Sequence, residues 1–221
     1  MRIVLATGNP HKVEEMRAIF ARGGLAGQGV KLVGLKDLPG AERFTEPVEH
    51  GVTFEENATI KAVSYAAQTG EWCLADDSGL EVDALGGRPG VISSHYCTDG
   101  REVGMKREER DAANNARVLS ELEGVADAER GARFVCVMVL ASPAGVRACT
   151  RGVFEGRIGA PPRVPAGGSG FGYDPLFLVA PGFARTGAEL SADEKNGVSH
   201  RAVAARAMAG EIARLVRGRH A

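Results

Sequence analysis

An α/β fold with a mixed sheet is the class that this 221-residue chain predicts, and three observations predict it. Strand and helix patterns alternate at the start, a β meander follows later, and loops able to hold a ligand stand at strand ends. The length fits one core, or one core with two lobes, so residues 1–221 are expected to form a single domain.

The elements follow in order. Ile3–Ala6 is a short apolar strand that turns at Gly8 into a helix, with Asn9 as its cap and Pro10 in the first turn. Val13, Met16, Ile19 and Phe20 recur at helical spacing, Gly23-Gly24 ends that helix, and Lys31–Leu35 reads as a second strand. Thr53-Phe-Glu-Glu56 is a capping box. The helix it opens has a core face of Phe54, Ala58, Ala62 and Tyr65 and an opposite polar stripe of Asn57, Lys61 and Ser64. Trp72–Ala75 is a buried strand expected to end at Asp76-Asp77-Ser78-Gly79, and a glycine-rich loop follows at Gly86–Gly90.

After Lys106–Asp111 comes a helix expected to use Ala112, Ala116, Leu119 and Leu122. Phe134–Ala141 and Val146–Arg151, joined by Ser142–Gly145, form an antiparallel hairpin, with Val153–Ile158 continuing the meander. Pro161–Gly172 is a Pro/Gly-rich loop, and Pro175–Val179 is another strand. Ser191-Ala-Asp-Glu194 is a second capping box, and Ala202–Val216 makes an alanine-rich closing helix.

Composition excludes several function classes. The 27 basic and 28 acidic side chains nearly cancel and form no block of one sign, so neither nucleic acid nor an anionic membrane is an expected partner. No apolar run has the length of a membrane span, and Ile3–Ala6 is too short for a signal peptide, so a cytoplasmic protein is expected. Cys73, Cys97, Cys136 and Cys149 include no Cys-x-x-Cys pair, and His11, His50, His95, His200 and His220 include no His-x-x-x-His pair. Zinc and a disulfide framework are therefore not expected. Gly167–Gly172 lacks the spacing and context of a dinucleotide fingerprint, and no Walker-type loop is present.

Other residues point to anion and cation chemistry. At Thr7–Lys12 the free backbone N–H groups of a helix start, the positive end of its dipole and the Lys12 ammonium suit phosphate; the alternative is an ordinary crossover with a solvated lysine. Asp76 and Asp77, adjacent on an extended segment, point to opposite sides and take separate tasks, unless both merely form an Asx turn. Glu49 and Asp77 with Lys12 and Lys61 supply the hard oxygens and cations that a magnesium–phosphate site requires. Phe171, on a glycine-rich loop ending at Asp174, offers a face to a flat base or else anchors the loop on the core. Lys195 and His200-Arg201 supply hydrogen-bond donors.

Taken in series, Thr7-Gly-Asn-x-x-Lys12, Thr53-Phe-x-Glu-Asn-Ala58 with Lys61, Ala75-Asp-Asp-Ser-Gly-Leu80, Gly86-Gly-x-Pro-Gly90, Gly170-Phe-Gly-Tyr-Asp-Pro175 and Ser199-His-Arg201 closely resemble the inosine/xanthosine triphosphate pyrophosphatase family over nearly the whole chain. The resemblance implies an elongated mixed sheet flanked by helices, two lobes around a central nucleotide cleft, and a homodimer. It also implies Mg-dependent hydrolysis of ITP, dITP or XTP to the monophosphate and pyrophosphate. By motif, Thr7, Gly8, Asn9, Pro10, His11 and Lys12 would cradle phosphate, with Lys61 beside them. Asp77 would be proton acceptor and metal ligand, Glu49 the second ligand, and Ser78 a substrate contact. Phe171, Gly172, Tyr173, Asp174, Lys195, His200 and Arg201 would receive base and sugar. One departure is His95, where the family usually carries arginine. Rival readings are a pyrophosphatase for modified pyrimidine triphosphates and a noncatalytic nucleotide-binding module.

Overall fold

The structure, a computed structural model, describes residues 1–8, 10–22 and 29–218. Asn9, expected as a helix cap, and Gly23-Gly24, expected as a helix stop, lie outside the described residues, as do the side chains of Pro10 and His11. The strands are β1 (Arg2–Leu5), β2 (Lys31–Gly34), β3 (Trp72–Val82), β4 (Gly131–Ser142), β5 (Gly145–Ile158) and β6 (Phe177–Val179). They form one mixed sheet in the order β2-β1-β3-β4-β5-β6. β1 runs parallel to both β2 and β3, with Ile3 opposite Leu32 and Trp72, whereas β5 and β6 are antiparallel. The helices are α1 (Pro10–Arg22), α2 (Phe54–Thr69), α3 (Arg107–Glu121), α4 (Ala192–Val198) and α5 (His200–Arg217).

By backbone proximity the chain divides into two compact units, each made of separated stretches. The first contains Met1–Asp77, Cys136–Gly152 and His200–Ala221, and the second Ser78–Val135 and Val153–Ser199. Ile3, Val4 and Leu5 of β1 are wholly buried, as a parallel strand covered on both faces requires. In the first unit Ile3 and Leu5 share a core with Met16, Ile19 and Phe20 of α1, Met138 and Leu140 of β4, and Ala205, Met208 and Ile212 of α5. Gly152 explains how close α5 comes to β5. A Cβ there would sit 2.1 Å from the carbonyl oxygen of His200 and 2.4 Å from the amide nitrogen of Ala204, which no side chain tolerates.

The second unit packs its own core around Leu80, Tyr96, Val118, Leu122, Phe134, Phe154 and Phe177. The Phe134 and Phe177 rings lie 4.6 Å apart between centroids, a separation at which aromatic pairs attract. Buried Arg130 donates to the carbonyls of Leu122, Val125 and Gly159, so its charge closes the carboxyl end of α3, where backbone acceptors lack helical partners.

Four sequence expectations are corrected. β3 does not stop at Ala75 but runs on through Asp76–Gly79 to Val82, which removes the Asx-turn reading. β1 ends at Leu5, opposite Leu74, while β3 continues as an interior strand, so the aspartates lie just past the end of a neighbour. Val153–Ile158 is the second half of β5 rather than a further strand. Ala112 and Ala116 are exposed on α3, whose buried positions are Asn114 and Val118. Asn114 tolerates burial because its amide accepts from the Cys97 amide and donates to the carbonyls of Ser93 and Ser94. On α2, Asn57 leaves the polar stripe for the interior and accepts from the Gly51 amide at 2.8 Å.

Candidate active site

The first unit gathers charged groups around the two aspartates that end it. Alternation along β3 sends neighbouring side chains to opposite faces, and each aspartate meets its own cation. Lys12 Nζ lies 3.0 Å from Asp76 Oδ2, and Arg201 Nη2 lies 3.5 Å from the same oxygen. Lys61 Nζ donates to Asp77 Oδ1 at 3.1 Å and to Glu49 Oε2 at 2.8 Å. Lys12 is thus an ion-pair partner rather than a solvated charge, and one ammonium joins Glu49 with Asp77.

Helix α2 positions Lys61. Its capping box forms, with the Thr53 hydroxyl accepting from the Glu56 amide and the Glu56 carboxylate accepting from the Thr53 amide. Phe54, Ala58, Ala62 and Tyr65 are buried as expected, which fixes the helix's rotation and directs Lys61 to Asp77. Arg201 is almost wholly buried at the start of α5 and donates through Nη1 to Glu15 Oε2 at 2.6 Å. Glu15, one turn beyond Lys12 on α1, is a member of this cluster that the sequence reading missed; its i, i+3 spacing from Lys12 was the available signal.

The adjacent carboxylates have opposite proton affinities. Burial pushes Asp76 up, but Lys12 and then Arg201 outweigh it and hold the group well below the usual carboxylate range. For Asp77 burial prevails over Lys61, with Glu49 assisting, and its pKa is raised. Burial would lower Lys61, yet Asp77, Asp76 and Glu49 together raise it and keep it charged. Asp77 Oδ2 and Asp76 Oδ1 are buried and have no hydrogen-bond partner among the described residues. Free anionic oxygen beside Glu49 suits a hard cation. Among the described residues no three His, Cys, Asp or Glu side chains gather as a metal group.

Thr7 and Gly8 follow β1, with the Thr7 amide donating to the Leu5 carbonyl, and Ser78 is half-buried directly after Asp77 on β3. His200 is buried next to Arg201.

In the second unit, Phe171 is exposed, with the Arg107 guanidinium carbon 4.8 Å and Lys195 Nζ 5.1 Å from its ring centroid. The buried Asp174 carboxylate accepts from the Phe171 amide at 2.8 Å and from Lys195 Nζ, so it secures the loop bearing the ring. Gly170 leaves it room, since a Cβ there would lie 2.3 Å from Asp174 Oδ2. Tyr173 is buried and donates to the Ser93 carbonyl at 2.7 Å. Gly172 is held by Asp111 and Asn115 of α3, two residues the sequence reading passed over although Arg107, Asp111 and Asn115 recur at i, i+4, i+8. His95 lies between Ser94, Glu102 and Arg110, with His95 Nε2 2.9 Å from Glu102 and 3.0 Å from Arg110 Nη1.

The sheet, its helices and these cation–carboxylate groups define an α/β protein with a cluster of paired charges in one unit and an exposed aromatic ring beside two cations in the other. Comparison with known proteins makes the assignment specific: the chain belongs to the Ham1 family, whose profile matches residues 3–211. It is 49% identical to the dITP/XTP pyrophosphatase of Frankia alni over 95% of this chain and 96% of that one. It is 45% identical to the dITP/XTP pyrophosphatase of an Exiguobacterium species over 99% and 100%. Among solved structures, a HAM1 protein from Coxiella burnetii matches with a TM-score of 0.80 and 37% identity, over 97% of this chain and 99% of that one. The family resemblance carried by the six motifs is therefore borne out, as is the mixed α/β sheet.

Proposed function

We propose that this protein hydrolyses nonstandard purine nucleoside triphosphates of the dITP and XTP class to the monophosphate and pyrophosphate, with magnesium as cofactor. Support comes from the relatives' named activity together with one geometric observation: adjacent aspartates held by separate cations, only one of which has a raised pKa. A carboxylate with raised proton affinity is the better general base near neutral pH.

In this reading Lys12, Lys61 and the amino-terminal end of α1, whose first turn has no acidic residue, bind the triphosphate. Asp77 orients the attacking water and takes its proton. The water oxygen bonds to the α-phosphorus as the bond from that phosphorus to the bridging oxygen breaks, and pyrophosphate departs with that oxygen. Magnesium, held by Glu49 and Asp77 when bound, supplies charge neutralisation at the phosphates. Asp76 keeps Lys12 and Arg201 in place. Most of the catalysis is positioning and charge.

Phe171 offers its exposed face to the base, and Lys195 beside it donates to a 6-oxo group while opposing the 6-amino group of adenine. His200 and Arg201 are assigned to recognition of the same nucleotide, with Arg201 kept in place by Glu15 and Asp76. No helix among the described residues is long and apolar enough to cross a membrane. A single-domain, cytoplasmic homodimer without nucleic-acid or membrane partners completes the proposal, and light scattering tests the dimer.

The deciding experiment is a magnesium-dependent panel of ITP, dITP, XTP, GTP and ATP with pyrophosphate and orthophosphate measured separately. Pyrophosphate from the deaminated purines, with ATP much poorer, is the expected result. Orthophosphate alone would move the attack to the terminal phosphorus, and equal efficiencies for all five would remove the base assignment.

A further inference from the structure

The loop bearing Phe171 is held from α3 through backbone groups of its neighbour. The Gly172 amide donates to Asp111 Oδ2 at 3.1 Å, and Asn115 Nδ2 donates to the Gly172 carbonyl at 3.1 Å. Both backbone polar groups of one residue are thereby taken by two side chains a helical turn apart. Gly172 has φ +61°, a conformation that favours glycine, and glycine has no side chain through which the loop could be anchored at this position. The Phe171 amide itself donates to Asp174 Oδ2 at 2.8 Å.

Asp111 and Asn115 are not part of the buried positions of α3, which are Asn114 and Val118. Asn115 Oδ1 is buried and has no hydrogen-bond partner among the described residues, whereas its Nδ2 is engaged by the loop. The first turn of the same helix contributes Arg107 to the Phe171 ring.

We infer that α3 positions the aromatic platform: Asp111 and Asn115 hold Gly172 so that Phe171 presents a fixed face to the nucleobase, and they set nucleotide affinity rather than the rate of bond cleavage. The inference rests on Phe171 being the base platform of the proposed function. A preorganised ring saves the ordering cost that a mobile loop would incur on binding, and stacking is tolerant of base identity. KM should therefore change alike for every purine accepted, with kcat nearly constant.

The test uses the full-length protein with dITP and XTP. Asn115→Asp removes the donor at constant size and should raise KM about fivefold, as loss of one hydrogen bond does. Asp111→Asn retains an acceptor oxygen and should stay within about twofold of wild type, whereas Asp111→Ala should match Asn115→Asp. Should Asn115→Asp fail to fold, Asp111→Ala and hydrogen exchange at the Gly172 amide, expected to quicken in that variant, carry the test. Phe171→Ala separates the two readings. Unchanged KM there overturns the base platform itself; a raised KM there with wild-type KM in Asn115→Asp and Asp111→Ala overturns the α3 inference alone. A fall in kcat equal to the rise in KM would also overturn it.

Discussion

In the first unit, Asp76 and Asp77 are neighbours on β3 that answer to different cations; in the second, Phe171 and Gly172 are neighbours on a loop held through their backbone. Charge meeting charge in a buried setting gives two adjacent groups opposite proton affinities. Hydrogen bonds to a backbone amide and carbonyl fix geometry and leave the ring's chemistry unaltered. The first arrangement suits proton transfer, the second suits recognition, and their sensitivity to substitution should differ accordingly.

The largest effect should come from Asp77. Asp77→Asn removes the base at nearly constant volume and should lower kcat by about 10³-fold, in the range seen when general-base catalysis is lost. Because the ionised Asp77 is disfavoured in the folded protein, thermal stability should not fall with activity. Turnover near wild type at saturating magnesium would remove the assignment and with it half of the comparison.

Arg201 comes next. Arg201→Ala leaves Asp76 with Lys12 and takes the guanidinium from Glu15. Breaking a buried ion pair on one side costs about 3–5 kcal/mol, against about 1 kcal/mol for a hydrogen bond of the kind Asn115 makes. Urea unfolding of Arg201→Ala and Asn115→Ala side by side measures the contrast. Equal losses would mean that the two units are not held by different means.

These two groups were unequally visible in the sequence. The capping box at Thr53 and the apolar face of α2 are local patterns, so the placement of Lys61 on that helix followed from spacing. The extent of β3 was hidden, because Asp-Asp-Ser-Gly has low strand propensity and only the pairing of an interior strand carries it through. Arg201 would be a surface charge by default, and what permits its burial is Glu15, 186 positions away in sequence. On α3 the apolar pattern misled: two alanines face solvent while an asparagine is buried, because its amide is fully partnered.

The smallest effect, a displacement along the pH axis, sharpens the contrast within β3 itself. Asp76 lies below its ordinary value of 3.8, so its stabilising contribution is present above that value and lost as pH falls through its folded pKa. Asp77 lies above the same ordinary value, so its contribution is present below 3.8 and lost as pH rises through its folded pKa. Carboxyl-carbon NMR titration of the substrate-free, metal-free protein should therefore show two neighbouring aspartates on opposite sides of the ordinary value. Glu49→Gln removes a negative neighbour and should bring Asp77 down, whereas Lys61→Met removes the cation and should drive it further up. Asp76 should follow Lys61→Met upward as well, because Lys61 helps to lower it, but by less, since Lys12 and Arg201 act on it more strongly. If both aspartates moved equally in Lys61→Met, the strand would not be keeping the two carboxylates in separate fields, and the division of labour between them would fail.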